Sequence, residues 1–459
     1  MKKGLIIFCI LFSFPIISIA QTIYVSSSNG FDSNSGLSSE TPVTTIAEGL
    51  KRGTHILLMA GDVFFESVEL KNKSLSAFGG SDRPVISGYK RIINPNWERI
   101  CEDIWRIDLA ADNYSGFRIK GSSLLNNIGC IHNYETGVIY GRKVKEFKDL
   151  KNNWDIWQTN RFDKNTPASS YDYLYLFLDE NPNALKLEFS TGQIALKLKE
   201  SSVDGVKIEG FGFGISCGTK VIIKNCVIDA IGGMIQRGYS VFTPYGNGIE
   251  FWISNISRGD SEVSNCIISR CYDCGITIQG RPAAGIRPYN IDIHNNFIYN
   301  CCQGFESFLL NHDTKSVYYD NCRFRNNIVL ASGDSGFDYS DGRFKYCHVL
   351  GNDIWGNKGM IIENNTFVGG NYYCSGAYEG EYKSNVWRGN KCYIKRGDFI
   401  LSNYTGSKDV LRIPKNRAKD ASVISKYRAL TGDQTTVFKI YSEKKINRKI
   451  NRLKNRYIK

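Results

Sequence analysis

VIIKNCVI (221–228), SEVSNCII (261–268), IDIHNNFI (291–298), CRFRNNIV (322–329) and MIIENNTF (360–367) are five forms of one eight-residue unit. Superposed, they align Asn225, Asn265, Asn295, Asn326 and Asn364, each flanked by apolar residues at alternate positions, the period of a strand. A second unit follows nine or ten residues later: GITI from 275, GFES from 304 and GFDY from 336, with GIEF from 248 belonging to the turn before. The leading glycines are 27, 29 and 32 residues apart. Short strands, polar turns and a coil of that length predict a β-solenoid rather than a helical array, and the repeated leucines of a leucine-rich horseshoe are missing. In such a stack each side chain lies on its counterpart one rung away. The recurring asparagine is therefore expected to form an amide ladder along the axis.

Coil length, asparagine corners and glycine-led strands favour an all-β right-handed parallel β-helix. The chain resembles the pectate-lyase-like proteins of that fold, a superfamily of secreted bacterial carbohydrate-active proteins. YVSSSNGFDSNSGLSSETPVTTIAEGL (24–50) resembles their first strand, polar turn and N-terminal capping helix. HILLMAGDVFFE (55–66) and RPVISGYK (83–90) resemble their first coils, and residues 171–213 resemble the return to the helix after an insertion. The likeness runs from about Tyr24 to Tyr393. It implies the fold and leaves the reaction to the site, because lyases, hydrolases, epimerases and binding proteins share this architecture. The expected organisation is a signal peptide (1–20), an N-terminal cap and first coils (21–91) and an inserted β-rich subdomain (92–200). The main β-helix (201–395) and a C-terminal extension with a basic tail (396–459) complete it.

Two lysines, an apolar run and the small-x-small site Ser18-Ile19-Ala20 read as a secretory leader cleaved near Ala20, which predicts a periplasmic or extracellular protein. Of the formal charge of +13, the last twenty-one residues hold nine Lys/Arg against one Glu, and the leader holds two lysines; the rest of the chain carries only +3. Basicity thus gives no ground for a nucleic-acid partner. It belongs to a tail in which Ile446, Ile450, Leu453 and Tyr457 fall at helical spacing, expected either to be solvated, to cap the last coil, or to contact an anionic surface or glycan. A monomer is expected.

Thirteen cysteines remain after the leader, three of them in SNCIISRCYDCGITIQG (264–280). CYDC has no second pair at zinc spacing, and no metal ligand is assigned. Cys271 and Cys301 hold one rung position that Ser332 and Gly370 occupy further on. Stacked buried thiols are the expected state, with a bridge between Cys271 and Cys301 as the alternative.

After each leading glycine comes an apolar residue, and strand alternation turns the next one outward: Glu250, Thr277, Glu306 and Asp338. Like charges one rung apart repel, so an acid row in a stacked sheet points to function. Trp252, Gln279 and Phe308 lie on the same face as flat or polar surfaces for sugars, and long loops supply Arg281, Arg287, His312 and Lys315. Glu306, Asp338, Glu250 and His312 are the candidate catalytic residues. Trp252, Phe308, Gln279, Arg281, Arg287 and Lys315 are the candidates for substrate binding. The expected function is cleavage of a polysaccharide, by a hydrolase whose carboxylates act as acid and base or by a lyase in which Ca²⁺ neutralises a uronate. A non-catalytic carbohydrate-binding or adhesin module and a polysaccharide epimerase stand as alternatives.

Overall fold

The computed structural model describes residues 21–92, 94–109, 128–144, 146–158, 173–235, 244–310, 316–333, 347–352, 358–375, 384–403 and 411–458. The proposed leader, His312, Lys315 and Asp338 lie outside the described residues.

Three long sheets run along the molecule, and successive coils contribute one parallel strand to each. Residues Val221–Lys224, Arg258–Ser264, Pro288–His294, Arg323–Arg325 and Ile361–Glu363 are neighbours in the first sheet. Val227–Ile231, Ile267–Cys271, Phe297–Tyr299, Ile328–Leu330 and Thr366–Val368 are neighbours in the second. Phe211–Cys217, Ile249–Ile253, Cys274–Gly280, Gln303–Leu309, Cys347–Asn352 and Asn371–Ser375 are neighbours in the third. Alternation along each strand sends one set of side chains inward. Ile223, Val263, Ile293, Phe324, Ile362 and Trp387 follow one another in register up the core.

The corner between the first two sheets divides its work between two adjacent residues. Asn225, Asn265, Asn295, Asn326 and Asn364 have φ of 55–57°, the left-handed conformation that asparagine tolerates better than most side chains. They turn the chain and do not form the ladder that their repetition suggests. The ladder is one residue further on. The amide of Asn296 donates to Oδ1 of Asn327 (3.0 Å), Asn327 to Asn365 (3.2 Å) and Asn365 to Asn390 (3.1 Å). Each of these Oδ1 atoms also accepts the backbone N–H one rung away, and each Nδ2 also reaches a main-chain carbonyl. All four side chains are buried, so the amides satisfy backbone groups that water cannot reach. Cys226 and Cys266 fill the same position in earlier coils, and their thiols donate to carbonyls.

All thirteen cysteines described are free, and all but Cys101 are buried. They pack as small apolar residues.

Helix α1 (Ile46–Arg52) lies against the first strand, with Gly49 so close to Val25 that a Cβ there would stand 2.8 Å from its side chain. Glu98–Cys101, Ile104–Asp108, Arg142–Lys143, Asp155–Gln158 and Tyr173–Phe177 form a separate five-stranded sheet with its own apolar cores. The chain rejoins the third sheet through Leu187–Lys199.

Beyond 395, where the sequence repeat fades, the chain still adds Phe399–Asn403 to the third sheet and Val437–Tyr441 to the second. Helix α2 (Asp420–Thr431) and helix α3 (Glu443–Tyr457) flank the last of these strands. The outer face of the second sheet receives α3: Ile446 is buried with Phe297, Leu330 and Val368, and Tyr457 stacks on Phe297 at 4.7 Å. The tail is thus a docked helix rather than a solvated segment.

The corner geometry makes a direct comparison possible. Asn327→Ala removes a buried amide and strands several partners, each unsatisfied group costing about 1–3 kcal/mol. Asn326→Ala meets only the left-handed backbone penalty of about 1–2 kcal/mol. Urea unfolding should show the larger loss for Asn327→Ala, although the sequence repeat marks Asn326 equally strongly.

Candidate active site

The acid row lies on the outer face of the third sheet. In Ile249–Ile253 the residues Ile249, Phe251 and Ile253 enter the core, which turns Glu250 and Trp252 out. Glu250 pairs in register with Thr277 and Thr277 with Glu306, so the two glutamates stand two rungs apart. At about 4.8 Å per rung their backbones are separated by about 10 Å. Beyond that point the row expected from sequence breaks down. The rung after Glu306 is occupied by Leu350, whose strand begins at Cys347, and Phe305 pairs with Val349 44 residues later. Asp338, expected on that rung, lies outside the described residues.

Although turned away from the solenoid core, Thr277 is fully buried and Glu306 is only 8% exposed. The middle of the row is therefore recessed below the surface rather than open to solvent. Thr277 Oγ1 donates to Glu306 Oε2 at 3.0 Å. Burial pushes the Glu306 carboxyl up to about 7, against the opposing effect of that hydrogen bond, and the charge of Glu250 adds to the rise. Glu250 is also raised by burial, while the amides of Gln279 (2.6 Å) and Asn247 (3.1 Å) and the charge of Arg258 favour its ionised form.

A third carboxyl, absent from the expected row, belongs to this group. Asp273 lies in the turn before Cys274–Gly280, the strand between the two glutamates, and its carbonyl accepts the Gln303 N–H at 2.9 Å. Burial, then the charges of Glu306 and Glu250, hold its carboxyl well above the usual range. The cysteines on either side, Cys271 and Cys274, draw attention away from the acid between them. The available signal was an ionisable residue set between buried thiols immediately before a glycine-led strand.

Trp252, Gln279 and Phe308 occupy matching positions on three consecutive rungs, two residues beyond the acid row. Trp252 is 37% exposed and Phe308 half-buried, so aromatic surface flanks Gln279, which is itself committed to Glu250. Tyr245 packs near Phe213 (5.2 Å), and burial, then the charge of Glu250, pushes its phenol up.

The arginines are less convergent. Arg281 is exposed just past the strand end. Arg287 pairs with Asp320 at 3.1 Å and stacks on Tyr318, at the start of a first-sheet strand rather than in the acid row. Arg258 donates to the Cys217 carbonyl. His348, which follows Asp338 in the chain, is buried beside Ser332, and burial depresses its imidazole to about 3. It is neutral and belongs to the packing.

Among the described residues no three His, Cys, Asp or Glu side chains are disposed to hold a metal ion. Two clefts of about 530 and 550 Å³ lie elsewhere, one lined by Arg91, Trp97, Tyr134 and Phe189 and the other by His55, Lys73 and Ser74; neither includes an acid of the row.

Three parallel sheets joined coil by coil make this chain a right-handed parallel β-helix protein. No family model matches it, and no curated protein matches it. Solved structures resemble it distantly. A glycoside hydrolase is 9% identical, with 84% of this chain and 95% of that one covered and a TM-score of 0.45. The xylose complex of XylC is 13% identical, with 83% and 69% covered and a TM-score of 0.42. A lacto-N-biosidase from Eubacterium ramulus is 12% identical, with 92% and 68% covered and a TM-score of 0.36.

The raised Glu306 carboxyl links stability to pH. The unfolded glutamate ionises near its ordinary value of about 4.3, whereas the folded one holds its proton to about 7. Between those values the folded state binds more protons, so this group makes stability fall as pH rises. Glu306→Gln removes the effect. Relative to wild type, the variant should gain up to about 3 kcal/mol on going from pH 4 to pH 8, because each tenfold change in an ionisation constant corresponds to about 1.4 kcal/mol. Urea unfolding at the two pH values measures the difference.

Proposed function

We propose that this is an exported glycoside hydrolase that cleaves a polysaccharide lying across the third sheet. The observation that carries the proposal is the cluster of buried Glu306 with half-buried Glu250 and Asp273, in which burial raises the Glu306 carboxyl to about 7. A proton held at a buried carboxyl is suited to donation to a leaving glycosidic oxygen. Glu306 is the general acid. Thr277 fixes its orientation through Oε2.

Glu250 is the base. Its Oε1 accepts from Gln279 and Asn247, which stabilise the carboxylate it must present to water. Asp273 sits on the rung between them, and burial, then the charges of Glu306 and Glu250, raise its own proton affinity. The backbone separation of two rungs leaves room for a water molecule between substrate and base. That spacing favours inversion at the anomeric carbon, for which carboxyl separations of about 6.5–9.5 Å are usual. Trp252 and Phe308 offer flat apolar faces to sugar rings on either side.

Glu306→Gln should lower turnover by about two to four orders of magnitude, the range general acid catalysis supplies, with the fold intact. Wild-type turnover should decline as pH rises through about 7, where Glu306 loses its proton. Screening neutral and uronate-containing polysaccharides should reveal new reducing ends without the ultraviolet absorbance of an unsaturated sugar, and proton NMR should show inverted product first. Unsaturated products would assign a lyase. Binding without cleavage of any polymer would assign a carbohydrate-binding module.

A further inference from the structure

We propose that α3 forms a second glycan-binding surface, a cationic stripe that holds anionic polysaccharide chains outside the acid row. The helix Glu443–Tyr457 contains seven Lys/Arg residues and one acid. Lys444, Arg448, Arg452 and Arg456 recur every fourth residue and are all exposed. At 1.5 Å rise per residue they stand about 6 Å apart along the axis, spanning about 18 Å on a gently turning line.

Two observations separate this stripe from an ordinary solvated face. First, among the described residues none of these four side chains is in an ion pair or hydrogen bond; the sole acid of the helix, Glu443, faces Lys395 at 3.5 Å. Like charges at i and i+4 each destabilise a helix by about 0.2–0.5 kcal/mol, and the stripe has three such pairs in succession. A polyanion along the stripe would relieve all three. Secondly, the remaining lysines are held down against the sheet: Lys445 over Tyr441 (3.8 Å), Lys449 over Tyr393 (3.9 Å) and Lys454 over Tyr299 (4.9 Å). They add positive potential along one flank of the stripe and fix the helix rotation that presents it.

The same docking argues against a lipid surface. An amphipathic helix binds bilayers by burying its apolar face, and here Ile446, Ile450 and Leu453 pack against the solenoid with Tyr457 stacked on Phe297. Apart from the half-exposed Tyr457 and Ile458 at its C-terminal end, what the helix leaves outward is charge, which suits an extended anionic chain such as a uronate polymer. Because the stripe lies on the second sheet and the acids on the third, such binding would hold polymer near the protein without occupying the acid row.

The test uses the full chain carrying Glu306→Gln, so that polymer is not consumed, with and without Lys444→Gln, Arg448→Gln, Arg452→Gln and Arg456→Gln. Binding to sodium polygalacturonate, to neutral dextran and to vesicles rich in phosphatidylglycerol is measured at about 0.01 and 0.15 M salt. The account expects polygalacturonate affinity to fall about tenfold or more on removing the four charges, and also on raising the salt, with dextran affinity unchanged by either. A charge-preserving set (Lys444→Arg with Arg448→Lys, Arg452→Lys and Arg456→Lys) should retain affinity, and its loss would overturn the proposal. Equal polygalacturonate binding with and without the stripe, or binding to the vesicles alone, would also overturn it. Cleavage is not measured, so the outcome is independent of whether the acid row is hydrolytic.

Discussion

Rung stacking at about 4.8 Å is the constraint on which the rest of this molecule depends. Every side chain has a counterpart directly above and below, so a residue type that suits the interior once is rewarded again one coil later. Apolar side chains satisfy this by packing, as the series from Ile223 to Trp387 shows. Polar residues satisfy it only if each can both donate and accept along the axis. Asparagine can, and Asn296, Asn327, Asn365 and Asn390 form a continuous buried chain of amides. That chain ties the register of consecutive coils at one corner and leaves the sheet faces free to vary.

Carboxylates are the residues least suited to the same geometry, since stacked acids neither donate nor relieve one another's charge. The third sheet separates Glu250 from Glu306 by Thr277, a residue that donates to one of them. Even so, burial raises all three carboxyls of the cluster, and the charge of Glu250 adds to the rise of Asp273 and Glu306. The unfavourable arrangement is what produces a proton donor near neutral pH. Rigid strands hold the acid and base at a separation set by rung count rather than by loop conformation, with Trp252 and Phe308 carried on the same strands.

The fold was legible because stacking writes the coil into the sequence as a repeat. The alternation around Asn265 or Asn295 is enough to place strands, inward faces and the outward direction of Glu250 and Glu306. The assignment of the ladder slipped by one because two adjacent asparagines repeat with the same period: one is needed for its backbone, the other for its amide. The occupant of the rung after Glu306 was misassigned because periodicity assumes a constant coil length, and the coil after Gln303–Leu309 is longer. Leu350, in a strand without the leading glycine, took the position instead. Asp273 escaped because it stands at a strand's edge, where neither alternation nor stacking marks a residue. The docking of α3 was half visible: its apolar spacing showed a helix, but Phe297, Leu330 and Val368 are outward residues of separate coils that become a surface only when stacked.

The central claim is that the stacked environment keeps the Glu306 carboxyl protonated close to neutral pH. A carbon-13 NMR titration of protein labelled at glutamate side-chain carboxyls tests it most directly, with the Glu306 resonance assigned by its absence in Glu306→Gln. The account requires that resonance to titrate at about 7, and the Glu250 resonance to titrate above the ordinary glutamate range as well. A Glu306 resonance titrating at about 4.3, like an exposed glutamate, would contradict it.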